Sequence, residues 1–299
     1  MPHLTFRPVS LDDRELVTRL SRASGFRCTD YCFTSMYVWQ DHYGLQISQR
    51  GERIVPRLLG ETPRYSFPFG TGELYPVIEA LREDAAEFGA PLFMRGIPKI
   101  MLPELKALYP DLTFTLDRDE CDYVYEAEKL ATLAGKKLHA KRNHIHRFEE
   151  QNDWRFEPVT AGNLDEVMAM NDEWMEQNYL EKHREYQAER MALTRAFTAM
   201  EALGLEGGLL RSGGKIIAYT LGEKLSVDTY VLHFEKAFAE IQGAYAMINR
   251  ENAKRILELH PEIVYINREE DLGLEGLRKA KESYYPAFLE EKYSTQWKA

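Results

Sequence analysis

Apolar positions along the chain switch between the two-residue spacing of strands and the three- to four-residue spacing of helices. The stretch LTFRPVSLDDRELVTRLSRAS predicts a strand, a turn and a helix, with Ser10 as the helix cap. The later stretch WRFEPVTAGNLDEVMAMNDEWMEQN predicts the same order. Both contain an aromatic residue, a charged residue, Pro, Val and then Ser or Thr, so the pattern indicates a duplicated domain about 150 residues long, far longer than a solenoid repeat.

The remaining elements indicate the fold class. The first half continues with a hairpin that turns at residues 50–52, a helix closed by Gly89, a strand and a further helix. The second half reads strand, two helices, three strands, helix, strand, helix, strand. This order lacks the strict β-α alternation of doubly wound folds. We therefore predict an α/β (α+β) chain with two domains, each a mixed, largely antiparallel sheet flanked by helices: residues 1–130, a basic connecting helix at 131–150, and residues 151–299.

Composition narrows the function classes. The 299 residues carry a net charge of −10, so the overall field does not draw the protein to DNA or to anionic lipid. No window approaches the roughly 18 apolar residues of a membrane span. Three cysteines are typical of a reducing compartment, which predicts a cytoplasmic protein, and no Cys/His spacing predicts a metal site.

A basic block interrupts this acidic chain. Residues 136–147 contain five basic residues and no acid. The five are Lys136, Lys137, Lys141, Arg142 and Arg147. The block is predicted to be helical. It could be a solvated helix between domains, or it could contact a polyanion such as tRNA phosphates or a pyrophosphate, because each phosphate contact adds salt-sensitive affinity.

The stretch YINREEDLGLEGLRKAKESYYP places acids and bases around one strand-to-helix turn. Glu269, Glu270 and Asp271 could bind an ammonium group. Two bases at i, i+3 on the following helix, Arg278 and Lys281, could face an oxyanion or a phosphate. Asp271 could instead cap the helix, with Gly273 shaping the turn. Tyr284 could donate a proton or simply pack in the core.

The order of elements in the second half resembles the GNAT acyltransferase fold. In that fold two central strands splay apart and the acyl donor lies between them, with its phosphates on the first amides of the next helix. The corresponding stretch here is HFEKAFAEIQGAYAMINRENAKR. The resemblance makes Glu235 the first candidate for general base, with Lys236 beside it and Glu240 second, although EKAFAE could also be a solvated loop. Gln242, Gly243 and Ala244 partly match the coenzyme A loop of GNAT enzymes.

Four further stretches resemble bacterial proteins that share the C-terminal domain of phosphatidylglycerol lysyltransferase, the DUF2156 family. They are CTDYCFTSMYVW, GKKLHAKRNHIHRF, IQGAYAMINRENAK and INREEDLGLEGLRKAKESYYP. The resemblance implies two GNAT-like domains in tandem. It also implies transfer of an amino acid from aminoacyl-tRNA, with no cofactor required.

The leading hypothesis is therefore an aminoacyltransferase with a small-molecule or peptide acceptor. Its tRNA would contact Lys137, Lys141 and Arg142. A second hypothesis is an N-acyltransferase that uses acetyl-CoA. A third is a non-catalytic ligand-binding module on a GNAT scaffold.

Overall fold

The structure, a computed structural model, describes residues 3–178 and 184–298. The chain forms two compact units. Unit 1 comprises Met1–Asp122, Glu270–Glu275 and Leu289–Ala299, and unit 2 comprises Tyr123–Glu269 and Gly276–Phe288.

Helices and strands follow one another along the chain in nearly the predicted order. The helices are α1 (Arg14–Ser24), α2 (Phe33–Tyr43), α3 (Tyr75–Glu87), α4 (Leu102–Leu108), α5 (Ala127–Thr132), α6 (His139–Gln151), α7 (Leu164–Asn178), α8 (Arg184–Thr198), α9 (Met200–Leu203), α10 (Ala244–Leu259) and α11 (Glu275–Glu282). The strands are β1 (Leu45–Arg50), β2 (Arg53–Leu58), β3 (Arg64–Ser66), β4 (Phe69–Gly70), β5 (Phe93–Pro98), β6 (Thr115–Leu116), β7 (Asp122–Glu126), β8 (Trp154–Pro158), β9 (Glu206–Ser212), β10 (Lys215–Lys224), β11 (Thr229–Ala237), β12 (Tyr265–Asn267), β13 (Phe288–Glu290) and β14 (Lys292–Gln296).

Unit 1 is built on a sheet ordered β1-β2-β3-β5-β14-β6, with β4 paired to β2. The first two strands form the predicted hairpin, whose register joins Arg50 to Arg53. The parallel pair is β3 and β5, and β14 runs antiparallel to β5. Tyr31 is fully buried, and its ring lies 5.2 Å from Phe26 and 5.3 Å from Phe69. Burial of such large rings is a major source of core stability.

Unit 2 contains the feature that matters for function, a pair of diverging strands. Its sheet is ordered β13-β7-β12-β11-β10-β9-β8. Helix α10 joins β11 to the parallel strand β12, and the two strands pair only from Thr229↔Tyr265 to Val231↔Asn267. Strand β11 continues to Ala237, and beyond Val231 no strand in the described part of the chain pairs with that edge. This divergence confirms the predicted GNAT-like fold.

The duplicated sequence pattern occupies equivalent positions in the two sheets. In unit 1, Arg7 forms an antiparallel bridge with Ile47 of β1. In unit 2, β8 pairs antiparallel with β9 along its full length. In unit 1 the stretch lies beside β1, the first of three antiparallel strands, and the third of these pairs in parallel with β5. In unit 2 the stretch forms β8 beside β9, which likewise begins three antiparallel strands, and the third pairs in parallel with β12.

The boundaries between the two units differ from the predicted domain boundaries at residues 130 and 150. The chain enters unit 2 at Tyr123, and residues 270–275 and 289–299 belong to unit 1. The difference arises because each sheet takes one strand from the other half of the sequence: β14 in unit 1 and β7 in unit 2. Helix α6, expected to connect two domains, lies inside unit 2 and packs against α10.

Membrane crossing needs a helix that is both long and apolar. Among residues 3–178 and 184–298, none of the helices meets both requirements.

Candidate active site in unit 2

A buried ion pair bridges the diverging strands of unit 2. Glu235 lies on β11 beyond the last residue that pairs with β12, and Arg268 directly follows β12. Nη2 of Arg268 donates to Oε1 of Glu235 at 2.7 Å, and both side chains are largely buried. Burial alone would lower the pKa of Arg268, but Glu235 and the surrounding groups raise it above its usual value. The guanidinium therefore stays charged.

Several polar atoms around this pair have unused hydrogen-bonding capacity. Asn249 donates to Oε2 of Glu235 at 3.3 Å, and Thr220 is opposite Glu235 in the β10–β11 register. Within residues 3–178 and 184–298, Oδ1 of Asn249, Oγ1 of Thr220 and Nη1 of Arg268 are buried without a hydrogen-bond partner. Buried polar atoms are normally paired with protein groups or with water, so these three atoms can still form hydrogen bonds beside the ion pair.

Lys141 of α6 completes the cluster. Its ammonium nitrogen lies 4.0 Å from the ring centre of Tyr284, and the guanidinium of Arg268 lies 5.0 Å from the same ring. Burial, followed by the positive charge of Arg268, lowers the pKa of Lys141 to about 8. Burial raises the pKa of Tyr284 to about 12, so its phenol keeps its proton at neutral pH. A lysine with this pKa can exchange protons near neutral pH, as a general base must.

The other two candidates from the stretch HFEKAFAE, Lys236 and Glu240, lie outside this cluster. Lys236 contacts Glu189 at 2.5 Å and lies 3.9 Å from the ring centre of Trp174. The indole of Trp174 in turn donates to the carbonyl of Ala237 at 2.9 Å. The charge of Lys236 is thus balanced by Glu189, and its side chain is held near the end of β11. Glu240 is exposed beyond that strand.

The three acids of the turn after β12, expected to bind one ammonium group, have three different sets of partners. Glu269 lies 2.9 Å from Nδ1 of His233 in unit 2. Glu270 belongs to unit 1 and lines a pocket there. Asp271, also in unit 1, is fully buried and accepts from the Gly273 N–H at 2.9 Å. Helix α11 begins at Glu275, so Asp271 shapes the turn and does not cap the helix.

The two bases of α11 do not both project into an open site. Lys281 is buried, and its ammonium donates to the carbonyls of Arg268 and, at 3.1 Å, Glu269. It therefore holds the main chain that carries Arg268. Arg278 is half-buried on the same helix.

The predicted phosphate-binding residues are divided between exposed and structural positions. Arg142 donates to the carbonyls of Leu133 and, at 2.8 Å, Gly135, so it secures the end of α5. Lys137 is exposed, with its ammonium 5.1 Å from the ring centre of Tyr285.

The loop of Gln242, Gly243 and Ala244 serves helix packing. Gly243 has a φ of 92° and caps α10, whose first residue, Ala244, is buried. A Cβ on Gly243 would lie 2.5 Å from the carbonyl oxygen of His144 on α6. The glycine therefore allows α6 to approach the start of α10, while Gln242 is exposed.

Replacing Gly243 by Ala should destabilise the protein by about 2–4 kcal/mol, because a left-handed backbone strain is added to a backbone clash. Gly214 offers a matched control: its φ is 85°, and no described atom lies within 4 Å of its Cβ position. Gly214→Ala should cost only about 1 kcal/mol. Urea denaturation measures both, and equal losses would contradict this account of Gly243.

Sequence reasoning missed Arg268 of this cluster and a histidine on β11. Arg268 immediately precedes the three predicted acids, and a charged residue directly after a short apolar strand was the available signal. His233, which lies between Glu269 and Glu223 at 2.9 and 3.2 Å, was likewise not predicted.

The fold places the protein in the GNAT-like acyltransferase class, with a charged cluster between the diverging strands of unit 2. The chain belongs to the family described as phosphatidylglycerol lysyltransferase, C-terminal, which matches residues 22–296.

The chain is also similar to individual proteins and solved structures. A crystal structure of a conserved protein of unknown function from Bacteroides thetaiotaomicron is 40% identical, with a TM-score of 0.93 over 99% of this chain and 100% of that chain. L-PGS from Bacillus licheniformis shares the fold at 16% identity and a TM-score of 0.64, over 95% of this chain and 91% of that chain. An uncharacterized protein of Mycoplasmoides gallisepticum is 26% identical over 182 residues, which span 58% of this chain and 54% of that relative. The match thus covers about half of the relative's length.

Proposed function

We propose that the protein transfers an aminoacyl group from aminoacyl-tRNA to an amine or hydroxyl of a small-molecule or peptide acceptor. The observation that carries the proposal is the Glu235–Arg268 pair between the diverging strands, with Nη1 of Arg268 left unpartnered in the described residues. Membership of a family named for lysyl transfer supports the aminoacyl donor. Such a donor places the reaction in the cytoplasm.

The reaction makes a bond between the acceptor nitrogen or oxygen and the ester carbonyl carbon, and breaks the bond from that carbon to the ribose oxygen. Negative charge develops on the carbonyl oxygen, where the free N–H groups of Arg268 would stabilise it. Neutral Lys141 would accept the proton that the acceptor loses. The resulting lysine ammonium returns a proton to the leaving ribose oxygen, so the lysine ends as it began.

The amino group of the donor also needs a binding site. A charged ammonium would contact Glu235, and the unpartnered oxygens of Asn249 and Thr220 lie beside that carboxylate. These oxygens are acceptors, as an ammonium requires. The site would therefore discriminate against donors without a free amino group, such as acetyl esters.

Acetyl-CoA is the less favourable donor for a separate reason. A pyrophosphate would need the free amides at the start of α10. Gly243 instead brings the backbone of α6 against that turn. A thermal shift with acetyl-CoA should accordingly be absent.

Transfer from charged tRNA tests the proposal directly. The protein, incubated with tRNA carrying radiolabelled amino acids and a panel of amine and hydroxyl acceptors, should produce labelled acceptor. Binding of tRNA should weaken steeply with salt, because phosphate contacts release counterions. Lys136→Ala/Lys137→Ala should reduce the log–log salt slope by roughly 1.5, since each phosphate that a lysine neutralises adds about 0.7–0.9 to that slope.

Two exposed lysines of unit 2 that already pair with acids provide the control. Lys215 pairs with Glu173 at 3.0 Å, and Lys254 pairs with Glu251 at 2.8 Å. Lys215→Ala/Lys254→Ala should leave the slope unchanged. Absence of transfer from every charged tRNA, or binding of tRNA that is insensitive to salt, would refute the proposal.

A further inference from the structure

Unit 1 contains a charged pocket that the proposed transfer reaction does not use. Its volume is about 140 Å³, and every lining residue belongs to unit 1. Three acids and three bases line it: Asp30, Glu120, Glu270, Arg64, Arg95 and Lys292. The pocket therefore presents equal numbers of both charges to whatever enters.

Two of the three bases in this pocket are held by ion pairs. Lys292 at the start of β14 is only 2% exposed, and its ammonium contacts Asp30 and, at 2.7 Å, Asp122. Arg95 on β5 pairs with Oε1 of Glu120 at 2.6 Å. Charges held in this way by neighbouring strands are oriented before a ligand arrives, which lowers the cost of binding.

Hydrogen-bonding capacity remains at two of the charged groups. Oε2 of Glu120 is buried and has no hydrogen-bond partner among the described residues. Arg64, the first residue of β3, is exposed, and its side chain makes no hydrogen bond or ion pair with residues in the described ranges. Glu120 and Arg64, the residues that carry these two groups, both line the same small pocket.

The mixture of acids and bases in this pocket favours some classes of ligand over others. A simple anion would meet Arg64 but also three carboxylates, and a simple cation would meet Glu120 but also three cations. Like charges inside one small, partly buried pocket repel each other. A ligand that carries both charges on one short backbone satisfies both free groups.

We propose that this pocket binds a free α-amino acid as a zwitterion, with its carboxylate on Arg64 and its ammonium on Glu120. The volume is below the range of about 300–1,000 Å³ that drug-sized ligands occupy, in agreement with a ligand of this size. Tyr43 and Leu272 are the remaining lining residues and favour an uncharged side chain. Burial, ahead of the charge of Glu270, raises the pKa of Tyr43, so its hydroxyl stays protonated and can donate to the carboxylate.

Isothermal titration with L-leucine and other uncharged L-amino acids tests the proposal. N-acetyl-L-leucine lacks the ammonium and L-leucinamide lacks the carboxylate. Each should bind about tenfold or more weakly than L-leucine, because each loses a hydrogen bond between charged groups. Equal affinities for the three compounds would overturn the proposal, as would the absence of heat and thermal shift with every amino acid at about 10 mM.

Variants locate the site. Arg64→Gln should weaken L-leucine binding about tenfold or more with a nearly unchanged melting temperature, because the exposed Arg64 side chain makes no hydrogen bond or ion pair with the described residues. Glu120→Gln should weaken it similarly and should spare N-acetyl-L-leucine. Arg82, exposed in unit 1 and outside the pocket, is the matched control, and Arg82→Gln should bind like wild type. Wild-type affinity in Arg64→Gln would show that the amino acid binds elsewhere and would overturn the assignment.

Discussion

Lys141→Met should lower the rate of aminoacyl transfer by a factor of about 10²–10⁴, the usual contribution of a positioned general base. The wild-type rate should rise with pH through about 8, where burial and Arg268 place the pKa of Lys141, because only the neutral amine accepts a proton. The variant should lack this rise. A pH–rate profile of transfer from charged tRNA, measured for both proteins, provides the test.

The variant Lys141→Arg separates a proton acceptor from a phosphate contact. Arginine keeps the positive charge but does not lose its proton in proteins, so it should be as inactive as methionine if Lys141 is the base. If Lys141 only contacts tRNA, Lys141→Arg should transfer at nearly the wild-type rate, and the assignment would be withdrawn. The loss of activity in Lys141→Met should not reflect misfolding, because this substitution removes a charge that burial and Arg268 disfavour.

The stability of the wild type should also respond to this lysine. Its folded pKa of about 8 lies below the value of about 10.4 for an unperturbed lysine. Between these pH values the unfolded chain binds more protons, so stability should rise with pH in this window. Lys141→Met should lose that rise, which chemical denaturation at pH 8 and pH 10 can detect.

Local periodicity predicted most of the elements, because hydrophobic spacing acts over a few residues. The hairpin at β1 and β2, the helix α3 and the three strands β9 to β11 all lie close to their predicted places. Local periodicity could not predict which strands belong to which sheet. Strand β14 pairs with β5 across nearly 200 residues of sequence, and nothing in either stretch specifies that partner.

The turn at residues 267–275 shows why a cluster of acids in sequence need not form one site. Glu269 and Leu272 have φ values of 59° and 53°, a left-handed conformation that non-glycine residues seldom adopt. These two reversals redirect successive side chains, so Glu269, Glu270 and Asp271 meet different partners. No glycine occurs at either position to signal the reversals in advance.

Which charged residues form ion pairs could also not be predicted from the sequence. The prediction of Glu235 rests on its position at the end of a strand, and its partner Arg268 is 33 residues away. A carboxylate fixed by an arginine and an asparagine is better suited to holding a ligand's ammonium than to removing a proton. The predicted base thus becomes a binding group in the proposed mechanism, and the base role moves to Lys141.

Lys292→Met should destabilise the protein by about 3–5 kcal/mol, the usual cost of removing one partner from a buried ion pair. Lys292 contacts the carboxylates of Asp30 and Asp122, and both buried acids would lose this ion pair. The exposed pair of Lys99 and Glu291, 2.9 Å apart, provides a matched lysine in the same unit. Lys99→Met should cost less than about 1 kcal/mol, because water screens a surface pair.

The loss of stability in Lys292→Met should grow with pH. In the wild type, burial tends to raise the pKa of Asp30, but Lys292 and Arg95 together hold it below its usual value. That depressed pKa contributes stability above the unfolded value of about 3.9, and the contribution disappears as pH falls through the folded value. Without Lys292 only the weaker effect of Arg95 and the backbone opposes that of burial, so the carboxylate should oppose folding more at pH 7 than near pH 4, where it is partly protonated. Urea denaturation at both pH values should show the larger deficit at pH 7, and an equal deficit at both would mean that Lys292 acts through packing and not through its charge.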